Sequence, residues 1–196
     1  MKTFENKKLT LIIFLSLAIL MAATRFPSIG SVVGLHNASL AVFFLSGFYL
    51  RSIFFSLFFA EAALIDYAAF MGGQSDWCFT PAYLFLIPTY AALWWAGRWY
   101  VSWYRPVWRT LIPLGLALFA SASLAFVISN VSFYFFSGYF VEMGFGQYAV
   151  EVAEYYPPYV ARPFFYIAFV VGFHLLAEVF GRSKRFFARL VPGASW

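Results

Sequence analysis

The chain has 196 residues, of which 63% are hydrophobic, 24% aromatic and only 11% charged, with a formal net charge of +5. Soluble domains carry roughly 25% charged residues, so this composition excludes an ordinary soluble domain and points to an integral membrane protein. One cysteine cannot form an internal disulfide, which leaves that thiol as packing, a reactive group or a metal ligand.

At roughly 20 residues per helical crossing, the chain has room for about six spans in one membrane domain over 1–196, all-α, with no separate soluble domain. Apolar runs and their Gly, Pro or charged punctuation place the spans at about 9–24, 38–50, 52–71, 80–97, 110–129 and 163–180. Lys7, Lys8, a short apolar run and Ala22-Ala23 also have the look of a cleavable signal peptide, but the run is long enough to span. Within it Ala18 and Ala22 form a small-xxx-small pair of the kind that lets another helix approach closely. Thr80-Pro81 suits a helix start, the threonine oxygen accepting a free N–H and the proline at the first helical position losing none that is needed. Residues 131–140 (VSFYFFSGYF) are apolar enough either to extend the fifth helix or to lie in the membrane interface.

Lysine and arginine collect on cytoplasmic loops. With six spans, all of the 13 basic residues except Arg25 and Arg162 fall on one side, which is therefore expected to be cytoplasmic and to hold both termini. Trp94, Trp95, Trp99, Trp103 and Trp108 gather near that side, at headgroup level, and the basic tail 181–190 reads as an interfacial anchor.

The opposite, outward face collects Arg25, His36, Asp76, Cys78, Tyr83, Glu142, Glu151, Glu154 and Arg162, with Asp66 approaching it from within the third span. Ionisable groups inside a span normally face the bundle interior or a water-filled cavity. Glu61 and Asp66 are five positions apart, about 140° around the helix, so they do not share one narrow face; Asp66 is the better candidate for a ligand contact and Glu61 for a partner inside the bundle. Satisfied interhelical hydrogen bonding is the plain alternative for both. Cys78 lies just before a helix, where the dipole lowers a thiol pKa while Asp76 and low dielectric raise it. One cysteine cannot build a closed zinc or iron–sulfur site, but a metal held in a macrocycle with one open axial position needs only one protein ligand, as in heme and corrinoids. Trp77, Phe79 and Tyr83 are suited to cover such a ring. Inert packing remains the plain alternative for the cysteine. His174, mid-span, reads as a buried hydrogen-bonding histidine, whereas His36 is outward and able to approach a ligand.

The six-span plan, the alanine pair and the segments FPSIGSVVGLHNASLAVFFLSGFYLR (26–51) and DWCFTPAYLFLIPTYAALWWAGRW (76–99) resemble the BtuM-type vitamin B12 transporters. These are small bacterial membrane proteins similar to the substrate-binding S-components of energy-coupling factor (ECF) transporters. The resemblance implies an S-component-like bundle in the bacterial inner membrane, a cobalamin pocket open to the outside, and Cys78 as axial ligand of the cobalt. It also implies base-off binding of the vitamin and loss of cyanide from cyanocobalamin in the site. Asp66 and Tyr83 match polar positions expected around the ring, and Arg25, His36 and Arg162 are placed by topology, an arginine being expected to meet the phosphate. Ala18 and Ala22 would form the contact with an ECF coupling module, where one is recruited. The rival class is a membrane-embedded heme or thiol redox protein, which calls for paired histidines across helices or a second cysteine; the sequence offers neither.

Overall fold

A computed structural model describes residues 7–25, 36–72, 80–104 and 108–179, without the side chains of Trp108 and of residues 174–179. Among these residues the fold is all-helical, with no strand. The helices are α1 (Lys7–Arg25), α2 (Ser39–Tyr49), α3 (Ile53–Met71), α4 (Leu86–Trp103), α5 (Leu111–Phe136), α6 (Phe145–Ala153) and α7 (Tyr156–Val179), with 3-10 turns at Pro81–Phe85 and Trp108–Thr110. Three of them, α1, α3 and α5, are long and apolar enough to cross a membrane. Large apolar side chains such as Ile19, Leu64, Leu116 and Phe169 stand outward, each at least 65% exposed. A surface of that kind is costly in water and well matched to lipid.

Helix α2 is apolar all round, and a helix of that pattern must be covered on every side. Every residue from Ala41 to Leu50 is buried, and α1, α3, α4 and α7 all pack against this helix. Phe43 lies flat on Tyr90 of α4, with ring centroids 4.2 Å apart, and meets Phe55 and Phe58 of α3 edge-on. Phe14 of α1 touches Phe54 and Phe58. At the far end, Arg98 of α4 donates to the Leu50 carbonyl at 3.1 Å and lies over the Trp94 ring.

Two glycines set how closely α2 and α4 approach. A Cβ on Gly47 would sit 2.0 Å from the Trp94 carbonyl oxygen, and one on Gly97 would sit 2.1 Å from that of Phe44. Each glycine thus lies against the other helix's backbone, a reciprocal small-residue crossing that even one methyl group would pry apart.

Element boundaries depart from the expected spans where proline or polar residues intervene. The fourth run opens as a 3-10 turn, with Tyr83 N–H donating to the Thr80 carbonyl at 2.9 Å and Leu86 N–H to that of Tyr83; the Thr80 side chain does not cap it. Pro88 has no N–H for the Leu84 carbonyl, so an unbroken α-helical ladder from residue 81 is impossible and the α-helix begins at Leu86. It then runs to Trp103, past the expected end near Gly97. Helix α5 continues seven residues beyond Ser129 to Phe136, which resolves the choice left open for 131–140 in favour of extension; Gly138, at φ 80°, follows in the turn that leads away. Helix α7 starts at Tyr156, not Pro163, because Pro157 and Pro158 fall in its first turn, where their missing donors cost nothing. Pro163 sits inside the helix and is buried.

Gly47→Ala or Gly97→Ala is expected to destabilise the protein by about 1–3 kcal/mol. Gly115→Ala, where a Cβ meets nothing within 4 Å, should be neutral or stabilising by up to about 1 kcal/mol. Thermal unfolding of the three variants in one detergent checks the contrast, and equal behaviour would count against the close crossing.

Candidate functional site

Alternating helix directions bring the C-terminal ends of α1, α3 and α5 to one end of the bundle, together with the N-terminal ends of α2 and α4. There the last residue of α1, Arg25, meets Asp66 of α3 as a two-pronged ion pair, Nε to Oδ1 at 2.7 Å and Nη2 to Oδ2 at 2.5 Å. The Arg25 Nη1 donates to Ser39 Oγ at 2.8 Å and to the Tyr90 hydroxyl at 2.7 Å. Tyr83, on the 3-10 turn, donates to Asp66 Oδ2 at 3.0 Å. The pair is largely shielded, with side-chain exposures of 7% for Arg25 and 15% for Asp66. A charge so placed needs a partner and filled hydrogen-bond positions, and this network provides both.

Next to the pair lies a cleft of about 350 Å³. Arg25, Asp66 and Tyr83 line it together with Ser129, Asn130 and Ser132 of α5, and Phe85, Leu86 and Phe133 supply apolar cover. Thr80, two residues along the chain from Cys78, also lines it. That volume suits a small ligand or one edge of a larger one.

Helix α6 is attached to the α5 wall through Tyr148, whose hydroxyl donates to the Asn130 carbonyl at 3.1 Å and reaches Asn130 Oδ1 at 3.4 Å. The Tyr148 ring is packed among Tyr134 and Phe140. Burial pushes the Tyr148 phenol above its ordinary value, since the ionised form would be left poorly solvated.

Of the site residues expected from sequence, Arg25, Asp66 and Tyr83 come together. The role given to Arg25 changes: four of its five N–H donors are engaged by Asp66, Ser39 and Tyr90, so it is a bundle-locking cation rather than one waiting for a phosphate. His36 contributes its backbone carbonyl, which accepts from the Tyr166 hydroxyl, while its side chain is exposed and does not line the cleft. Arg162 is exposed on α7, also off the cleft. Glu61 is half-buried; it makes no hydrogen bond among the described residues, but it lies within the field of the Arg25 charge. Ala18 packs against the core and Ala22 is half-buried. Cys78, Trp77, Phe79 and Asp76 lie outside the described residues, as does the His174 side chain. Among the described residues no three His, Cys, Asp or Glu side chains gather as a metal site.

Ser39, Tyr90 and the Ser129–Ser132 wall were not singled out from sequence. The signal for the wall was present: three polar residues within four positions of a largely apolar helix. No protein-family model matches the chain, and no curated protein matches it.

Removing either partner of the pair alone should be far more harmful than removing both. Arg25→Met and Asp66→Leu are each expected to cost about 3–5 kcal/mol, and the double variant less than either, read as a double-mutant cycle of unfolding midpoints in detergent. Strict additivity would argue against a coupled buried pair. For Tyr148, the folded-state pKa lies above the unfolded value, so its stabilising contribution is intact below about pH 10 and declines as pH rises beyond that. Tyr148→Phe should flatten that alkaline loss of stability.

Proposed function

We propose that the chain is a corrinoid-binding uptake protein of the bacterial inner membrane, an S-component-like six-span bundle of the kind found in the BtuM-type vitamin B12 transporters it resembles. The observation that carries this proposal is the cleft at one end of the bundle, where Asp66 and Tyr83 converge beside Thr80, the chain neighbour of the segment holding Cys78. Ionisable groups within a membrane bundle face its interior or a water-filled cavity and mark substrate paths.

In this proposal the Cys78 thiolate coordinates cobalt in place of cyanide, which leaves as the anion, and the cleft receives one edge of the ring. Breaking the cobalt–sulfur bond then precedes release to the cytoplasm, so the cysteine that captures the vitamin also controls its passage. The ring is much larger than the cleft, so only an edge of it is taken to enter. With Arg25 engaged by Asp66, the nucleotide phosphate is not assigned to it. The distribution of basic residues is the ground for taking both termini as cytoplasmic, and the part of Ala18 and Ala22 that the core leaves uncovered is the face for a coupling module.

The test is the visible absorption spectrum of purified protein incubated with cyanocobalamin, for the wild type and Cys78→Ala. Bound corrinoid with displaced bands and no cyanide signature in the wild type alone is the expected result. Absence of bound corrinoid in the wild type would overturn the proposal; equal binding and equal spectra in both would keep the corrinoid and return Cys78 to ordinary packing.

A further inference from the structure

The end of the bundle away from the cleft collects charge of one sign. It is built from the N-terminal ends of α1, α3 and α5 and the C-terminal ends of α2 and α4. Lys7, Lys8, Arg51, Arg98 and Arg109 stand there, all of them exposed. No described carboxylate side chain shares this end: Glu142, Glu151 and Glu154 follow α5 at the cleft end, and Glu61 lies about 12 Å along α3 from its start. The ion pair found among the described residues, Arg25 with Asp66, is also at the cleft end. These cations therefore have no anionic partner among the described residues.

Two of the arginines are brought together by the fold. Arg98 Nη1 donates to the Leu50 carbonyl at 3.1 Å, which sets the guanidinium against the peptide that leads into Arg51, and the Trp94 ring lies beneath it. Only one of its five N–H donors is engaged among the described residues. On a helix surface, residues three and four apart are neighbours. Trp95 therefore lies beside Arg98 toward the middle of the bundle and Ser102 beside it toward the end, and all three are exposed, Trp95 by 71%. Within about 10 Å of helix the face passes from an indole in the apolar band to a guanidinium and then a hydroxyl.

A phospholipid presents the matching order of groups, an acyl chain followed by a phosphate. A zwitterionic headgroup brings its own cation to stand against the two arginines, whereas an anionic headgroup brings none. We propose that Arg51 and Arg98 bind the headgroup phosphate of an anionic phospholipid whose acyl chain lies over Trp95. The lipid supplies the negative charge that this end of the bundle lacks and clamps the α2–α3 turn to α4. This site needs the membrane setting but not the corrinoid proposal, and the two stand or fall separately.

The test is native mass spectrometry of the purified full-length chain in detergent, titrated with phosphatidylglycerol or with phosphatidylcholine of the same acyl chains. The wild type is expected to hold its first phosphatidylglycerol about tenfold more tightly, the scale set by two arginines at a membrane surface. Arg51→Gln and Arg98→Gln should each reduce that preference, and Arg162→Gln, which alters an exposed arginine near the cleft end of α7, should leave it unchanged. Arg98→Gln also loses the bond to Leu50; if that variant fails to fold, Arg51→Gln decides. Equal affinity of the wild type for the two lipids, a preference unmoved by Arg51→Gln, or an equal loss in Arg162→Gln would overturn the site. So would protection against thermal unfolding by inorganic phosphate equal to that by phosphatidylglycerol, which would mark a site for the free ion. A lipid-independent dimer abolished by Trp95→Ala would overturn it as well, making the face a contact between two copies of the chain.

Discussion

A buried arginine whose charge cannot be left unanswered holds the site end of this bundle together. Arg25 closes α1, Asp66 lies toward the end of α3, Ser39 opens α2 and Tyr90 lies in α4, and the guanidinium binds all of them. In a low-dielectric bundle a lone ion would be expensive enough to forbid the arrangement. The pair therefore acts less as a source of net stability than as a condition of register: α1, α2, α3 and α4 can meet only where Asp66, Ser39 and Tyr90 all reach the one guanidinium.

Packing below the pair follows from a second demand, the need to cover α2. Because α2 has no polar face to turn outward, it occupies the centre, and its neighbours must approach closely enough to leave no void. Gly47 and Gly97 make that approach possible against α4, where the backbones touch. The aromatic residues Phe14, Phe43, Phe55, Phe58 and Tyr90 then fill the space among α1, α3 and α4. The outer surfaces of the same helices stay apolar, so core and exterior differ in packing rather than polarity, as a bundle surrounded by lipid requires.

The cleft is what this rigid frame leaves at its edge. It opens where the 3-10 turn at Pro81–Phe85 holds the chain away from a straight helical course toward α5. Its walls are polar but already cross-bonded, and this separates it from a generic cavity.

Much of the plan was legible in the residues themselves. Apolar runs and their punctuation located every long helix, and Arg25, Asp66 and Tyr83 stood out because ionisable or polar groups in such a sequence need a reason to be there. Residue identity alone determined these points, since burial of apolar surface and the cost of isolated charge depend mainly on composition and order along the chain. Only the tertiary structure decided that Arg25 answers Asp66 instead of waiting for an anion, that Ser39 and Tyr90 complete its shell, and that Ser129, Asn130 and Ser132 line the same cleft as the pair. Those outcomes turn on distances between helices far apart in sequence, and on how far α5 continues past Ser129. Neither the close approach at two glycines nor the direction of a hydroxyl proton has any signature in a linear pattern of polarity.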